Sequence, residues 1–167
     1  MFELTDDSGF LALVVPTSYE TFVARNWTFD QIMAHFRAQM ARRSLLIWGT
    51  GSEGSWKVDV VLTKSHAAGF REVSGPLLVV GGSLLLTNYD SLTMAAQFND
   101  VTLPENHQGD LVVPLPDGDY TCRIIQTFDP QEAECAGDDK PDFVVEIQKG
   151  EGKRAAWGNI PWFNVDS

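Results

Sequence analysis

The stretch after residue 44 constrains the fold most, because it consists of short apolar or alternating segments separated by turn residues. Residues 56–63 carry apolar side chains at every second position, which is the period of a strand with one buried face. Residues 119–128 and 143–148 repeat this alternation. Many short strands spaced by about 8 to 12 residues are typical of a sandwich or barrel. We therefore predict a mainly β fold, α+β by content.

Residues 28–43 predict the one clear helix. Thr28 is a favourable N-cap, and Gln31 three residues later completes a capping box. Arg42 and Arg43 lie in the predicted last turn, where they favour the helix dipole. The apolar residues have the spacing of one buried stripe, and they are Phe29, Ile32, Met33, Phe36 and Met40. We expect an antiparallel β-sandwich with this helix packed on it, forming a single β-rich domain over residues 1–167.

Glycine-containing turns predict how the strands are joined. Gly81-Gly82 lies between two apolar segments and is a strong hairpin signal, because both positions accept a positive φ. Pro116-Asp117-Gly118 indicates a second tight turn. Residues 49–54 match G-x-G-x-x-G, but a strand pattern follows them and Glu53 would repel phosphates. We interpret them as a hairpin loop and predict no cofactor.

Three further segments have weaker patterns. Residues 19–24 mix β-branched and aromatic side chains and are interpreted as a strand, as are residues 98–103. Residues 89–97 fit either a helical turn or a loop.

The charge balance excludes several classes of function. The sequence contains 12 Lys and Arg and 23 Asp and Glu, which gives a net charge of −11. Binding to nucleic acid or to anionic lipid requires a cationic surface, so we expect neither. Solubility alone accounts for such a charge, and so does attraction to a basic partner. The N-terminus lacks a signal-type pattern and no apolar run is long enough for a membrane span, so we expect a cytoplasmic protein.

The sequence contains no recognisable catalytic or metal-binding pattern. His35, His66 and His107 lie far apart in the sequence, without the spacing of metal ligands. Cys122 falls at a strand position and is interpreted as a small buried hydrophobe, whereas Cys135 falls in an acidic loop that would raise its thiol pKa. We therefore predict no catalytic residue and no metal site.

Residues 129–142 are the strongest local charge feature, with six acids and one lysine. Calcium binding is an alternative for Asp138, Asp139 and Asp142, but the glycine and distal glutamate of an EF-hand loop are missing. We interpret the segment as a contact loop for a basic partner such as a nuclease, which must be cationic to hold its substrate. The predicted contact residues are Glu132, Glu134, Asp138, Asp139 and Asp142.

Two other functions stay open at this stage. Tryptophans stack on sugars, so a small-molecule or carbohydrate site could use Trp48, Trp157 or Trp162, although we favour a core role for the aromatic tail at Trp157, Pro161, Trp162 and Phe163. An enzyme of unrecognised type would require a deep pocket that contains a carboxylate and a histidine with perturbed protonation.

The order of elements resembles the bacterial competence protein J group, small β-rich proteins that include a nuclease inhibitor. The resemblance covers about residues 10–128. It is carried by residues 18–22, the helix start at residues 27–30, the apolar segments at residues 76–80 and 84–87, and the turn at residues 115–120 (Leu-Pro-Asp-Gly-Asp-Tyr). This sequence differs from the group in its acidic loop and aromatic tail. The resemblance implies binding and inhibition of a nuclease, and it implies no catalytic residues.

Overall fold

The computed structural model describes residues 1–65, 67–150, 152 and 154–163. Within these residues it contains nine strands and two α-helices, which confirms the mainly β class. In chain order the elements are β1 (Phe2–Asp6), β2 (Phe10–Val14), α1 (Phe29–Ala41), β3 (Leu45–Gly49), β4 (Gly54–Val61), β5 (Arg71–Val79), β6 (Ser83–Asn88), α2 (Tyr89–Gln97), a 3₁₀ helix (Asn106–Leu111), β7 (Val112–Pro114), β8 (Gly118–Gln126) and β9 (Phe143–Lys149).

The strands form two sheets. The five-stranded sheet has the order β1-β4-β9-β8-β5, and the four-stranded sheet has the order β3-β2-β6-β7. All pairs are antiparallel except β4 and β9, which run parallel. β9 begins at Phe143, opposite Val58 of β4. The long acidic loop between β8 and β9 therefore ends beside β4.

The four-stranded sheet is buried on both faces. Every residue of β2 and β3 is buried, which explains why these strands have continuous apolar runs instead of alternation. On one side Trp48 of β3 meets Phe143 of the other sheet, with ring centroids 6.2 Å apart. On the other side α1 packs on β3, and α2 packs on β2 and β6. The result is a sandwich with the helices as a third layer.

The predicted helix is confirmed, with changes at both ends. The capping box is present: the Thr28 hydroxyl accepts from the Gln31 N–H at 3.2 Å, and the Gln31 side chain accepts from the Thr28 N–H at 2.8 Å. Phe29 is 45% exposed and does not belong to the buried stripe. The helix ends at Ala41, two residues earlier than predicted, because Arg43 has a φ of 62° that a right-handed helix cannot include.

The hairpin predictions at Gly81-Gly82 and at residues 49–54 were wrong, because these turns, like the tight turn at residues 116–118, join strands of different sheets. Gly81-Gly82 connects β5 to β6, residues 115–117 connect β7 to β8, and residues 50–53 connect β3 to β4. The positive φ values predicted at Gly81 and Gly82 are present, at 91° and 81°. The local turn geometry was therefore predicted correctly, but it does not decide whether the next strand pairs with the previous one or crosses the core.

The three weak segments also differ from prediction. Residues 19–24 form no strand; they bind the end of α2 through hydrogen bonds from the Val23 and Ala24 N–H groups to the Ala96 carbonyl, at 2.8 and 3.2 Å. Residues 98–103 form a loop. Residues 89–97 form the helix α2, whose N-cap Asn88 accepts from the Ser91 N–H at 3.0 Å.

Candidate functional site

The acidic loop, residues 129–142, is held in place by its last residue. Asp142 is only 2% exposed. Its Oδ2 accepts from the Lys57 N–H of β4 at 2.8 Å, and its Oδ1 accepts from the Ala136 N–H at 2.8 Å. Its own N–H donates to the Lys57 carbonyl, also at 2.8 Å. We predicted Asp142 as a contact residue, but the structure makes it the internal anchor of the loop.

The other four predicted contact residues lie at the surface. Glu132, Glu134, Asp138 and Asp139 are exposed, and none forms an ion pair with another residue that the structure describes. Turns order the loop around them: the Asp129 carboxylate accepts from the Gln131 N–H at 2.9 Å, and the Gly137 carbonyl accepts from the Lys140 N–H at 3.3 Å. The loop therefore presents its carboxylates from an ordered backbone, which lowers the entropic cost of binding.

A cavity of about 200 Å³, here called the loop cavity, lies between the acidic loop and strands β1 and β4. Trp56 of β4 lies behind the wall of this cavity: it is 1% exposed, and its ring is stacked on Phe128 with centroids 6.0 Å apart and edge-on to Phe143 at 5.5 Å. The full lining is Glu3, Ser55, Trp56, Lys57, Cys135, Gly137, Asp138 and Asp142.

A second cavity of about 310 Å³ shares Glu3 with the loop cavity. It extends toward the 3₁₀ helix, where Asp110 and His107 line it. The buried Gln108 forms a polar part of the wall of this second cavity. Its Nε2 donates to the hydroxyls of Thr87 at 3.0 Å and Ser91 at 2.8 Å. The acidic surface therefore continues beyond the loop. We call the acidic loop together with Glu3 and Asp110 the acidic face.

The acidic face has a clear excess of negative charge. Among the described residues that line its two cavities, four are carboxylates and one, Lys57, is a full cation. Glu3 and Asp110 were missed in the sequence because both lie far along the chain from residues 129–142. Both join the acidic loop only through β1 pairing with β4 and through the 3₁₀ helix that precedes β7.

The cysteines and histidines form no reactive cluster in the part of the chain that the structure describes. Cys122 is buried, and burial raises the pKa of its thiol to about 12, so it stays protonated. Burial lowers the pKa of His35, while the exposed His107 lies 3.7 Å from Glu105. His66 lies outside the described residues. In those residues no three His, Cys, Asp or Glu side chains are placed to hold a metal ion.

The structure buries most of the tryptophans that a carbohydrate site would use. Trp48 is fully buried, and Trp157 is 9% exposed with its Nε1 donating to the Ser74 carbonyl at 2.8 Å. The Arg71 guanidinium lies over the Trp162 ring, with its Cζ 4.5 Å from the ring centroid. Trp48 and Trp157 are therefore unavailable for stacking on a sugar. Residues 49–54 lead directly into β4 and open no helix, so they lack the geometry of a dinucleotide site.

Comparisons with known proteins place the chain by fold. No protein-family model and no curated protein sequence matches it. Among solved structures it is similar to "Crocagin biosynthetic gene J", with 14% identity, a TM-score of 0.59, and coverage of 89% of this chain and 94% of that one. It also matches ComJ, inhibitor of the DNA degrading activity of NucA, from Bacillus subtilis, with 11% identity, the same coverage and a TM-score of 0.49.

The likeness found in these comparisons concerns the fold. The predicted resemblance to the competence protein J group is confirmed at that level, at low sequence identity. In the described residues no helix is both long and apolar enough to cross a bilayer.

Proposed function

We propose that this protein binds a basic protein through its acidic face. The observation that supports the proposal most is the acidic loop, whose four exposed carboxylates rest on a backbone fastened by the buried Asp142. The net charge of −11 adds a long-range field that attracts cationic proteins and accelerates their association.

We further propose that the partner is a nuclease. A nuclease needs a cationic surface to hold its polyanionic substrate. Carboxylates projecting from an ordered loop would compete with phosphates for that surface, so binding would inhibit the nuclease. No catalytic step by this chain is required.

The test uses a panel of purified cationic nucleases. Binding is measured by biolayer interferometry at 50 and 300 mM NaCl, together with inhibition of DNA cleavage. We expect affinity to fall with salt, because exposed charge pairs are screened at high ionic strength. Affinity that does not change with salt would contradict the proposal.

A charge-neutralised variant locates the surface. The variant carries E132Q, E134Q, D138N and D139N, and we expect it to bind about 30-fold more weakly, at roughly 0.5 kcal/mol for each exposed charge. A matched control removes four exposed acids elsewhere, through D7N, D30N, E53Q and D100N. An equal loss in both variants would show that net charge alone acts and would remove the acidic face as the binding site.

A further inference from the structure

We propose that the loop cavity receives an arginine side chain of the partner. The identity of the partner rests on the proposed function, whereas recognition of the guanidinium rests on the cavity itself. An exposed loop alone specifies no particular group, but a cavity bounded by three elements does. Its wall combines β1, β4 and the acidic loop.

The size of the cavity fits one side chain. Its volume of about 200 Å³ lies below the range of about 300–1,000 Å³ typical of small-molecule sites. The exposed Cys135 and the Cα of Gly137 form apolar wall, on which the methylene stem of a long basic side chain can lie while its charged end stays near water.

The carboxylates favour a planar cation. Glu3 and Asp138 are both exposed and approach the cavity from different elements, β1 and the acidic loop. Asp142 adds negative potential, although backbone N–H groups occupy both of its oxygens. Lys57 opposes the entry of a cation, but the three carboxylates that line the cavity outnumber it. Guanidinium donates from several edges and can satisfy two carboxylates at once, whereas an ammonium acts as a point charge.

The experiment titrates the ¹⁵N-labelled protein with N-acetyl-arginine methylamide and follows amide shifts by NMR. We expect saturable shifts at Ser55, Trp56, Lys57 and Gly137, with the citrulline analogue producing none because it is neutral. The lysine analogue should bind several-fold more weakly. The inference is overturned if the arginine compound leaves these amides unchanged, or if citrulline or lysine matches it.

Variants test the two carboxylates. E3Q and D138N should each raise the apparent Kd of the arginine compound about fivefold, the upper end for one exposed charge pair. E132Q is the matched control: it lies on the same loop, is exposed and does not line the cavity, so its Kd should stay unchanged. Equal effects of D138N and E132Q would contradict a specific cavity.

The two proposals fail separately. Arginine binding without any nuclease binding would leave the cavity assignment standing and overturn the proposed function. Salt-dependent nuclease binding that E132Q and D138N weaken equally, with no arginine binding to the free protein, would overturn the cavity assignment alone.

Discussion

At the scale of single residues, the structure contains a carboxylate that the sequence did not single out. Asp6 ends β1 and is fully buried. Its Oδ1 accepts from the N–H groups of Ser8 at 2.9 Å and Gly9 at 3.0 Å, and its Oδ2 accepts from the Thr50 hydroxyl at 3.3 Å. Burial raises the pKa of Asp6, and these hydrogen bonds offset only part of the rise.

We expect this residue to make stability depend on pH. An aspartate whose pKa is higher in the folded than in the unfolded state stabilises the fold when protonated. Its contribution is complete below the unfolded pKa of about 3.9 and is lost as pH rises through the folded value. D6N has no such titration. The free energy of unfolding of the wild type should therefore rise relative to D6N between pH 7 and pH 4. Urea denaturation checks this, and a constant difference would contradict it.

At the scale of elements, local signals were reliable where the chain closes its own hydrogen bonds. The capping box of α1 is an example, because its two hydrogen bonds involve only Thr28 and Gln31. The polar segment of residues 129–142 was likewise predicted correctly as a loop. Strand pairing was not predictable in this way, since a glycine turn permits several directions for the strand that follows it.

Removing the N-cap should weaken α1 measurably. T28A leaves the Gln31 N–H without its side-chain acceptor, and we expect a loss of about 1 kcal/mol in the free energy of unfolding. Urea denaturation followed by circular dichroism measures it. The matched control is T63A, an exposed threonine outside helices and strands, which should change stability by less than about 0.5 kcal/mol. Equal effects of the two substitutions would refute a capping role.

At the scale of the whole molecule, the aromatic tail, residues 155–163, closes the side of the sandwich. β3 and β5 are edge strands of different sheets. Trp157 donates to the Ser74 carbonyl of β5, and the Gly49 N–H of β3 donates to the Pro161 carbonyl at 2.9 Å. The tail therefore satisfies backbone groups on both edges, which otherwise invite pairing with other chains.

The contact between tail and sandwich leaves no room for a side chain at Gly75. A Cβ there would lie 2.6 Å from the Trp157 ring and 2.7 Å from the Leu46 side chain. We expect G75A to cost about 1–3 kcal/mol, the range for overpacking a core. The control is G158A in the tail itself, where a Cβ would meet nothing within 4 Å. Urea denaturation monitored by tryptophan fluorescence compares them; a G75A protein as stable as G158A would show that the tail is loosely attached.

The candidate site was predictable only in part. The acidic loop and four of its exposed carboxylates follow from composition, because a segment with six acids and one lysine gains little from burial. The role of Asp142 does not follow from composition. Asp142 and Asp138 carry the same side chain, and only the position of Asp142 beside β4 buries it as the anchor of the loop. Glu3 joins the site across more than 130 residues of chain, so no local pattern could indicate it.

The sequence by itself determined the alternation, the capped helix, the positive-φ turns and the sign of the charge, because each depends on side chains within a few residues of one another. Only the tertiary structure decided that the three glycine turns cross the core, that β9 lies parallel to β4, and that Glu3 meets the acidic loop. These outcomes depend on which apolar faces cover each other most completely. That choice is a property of the whole chain, since every strand offers the same kind of face.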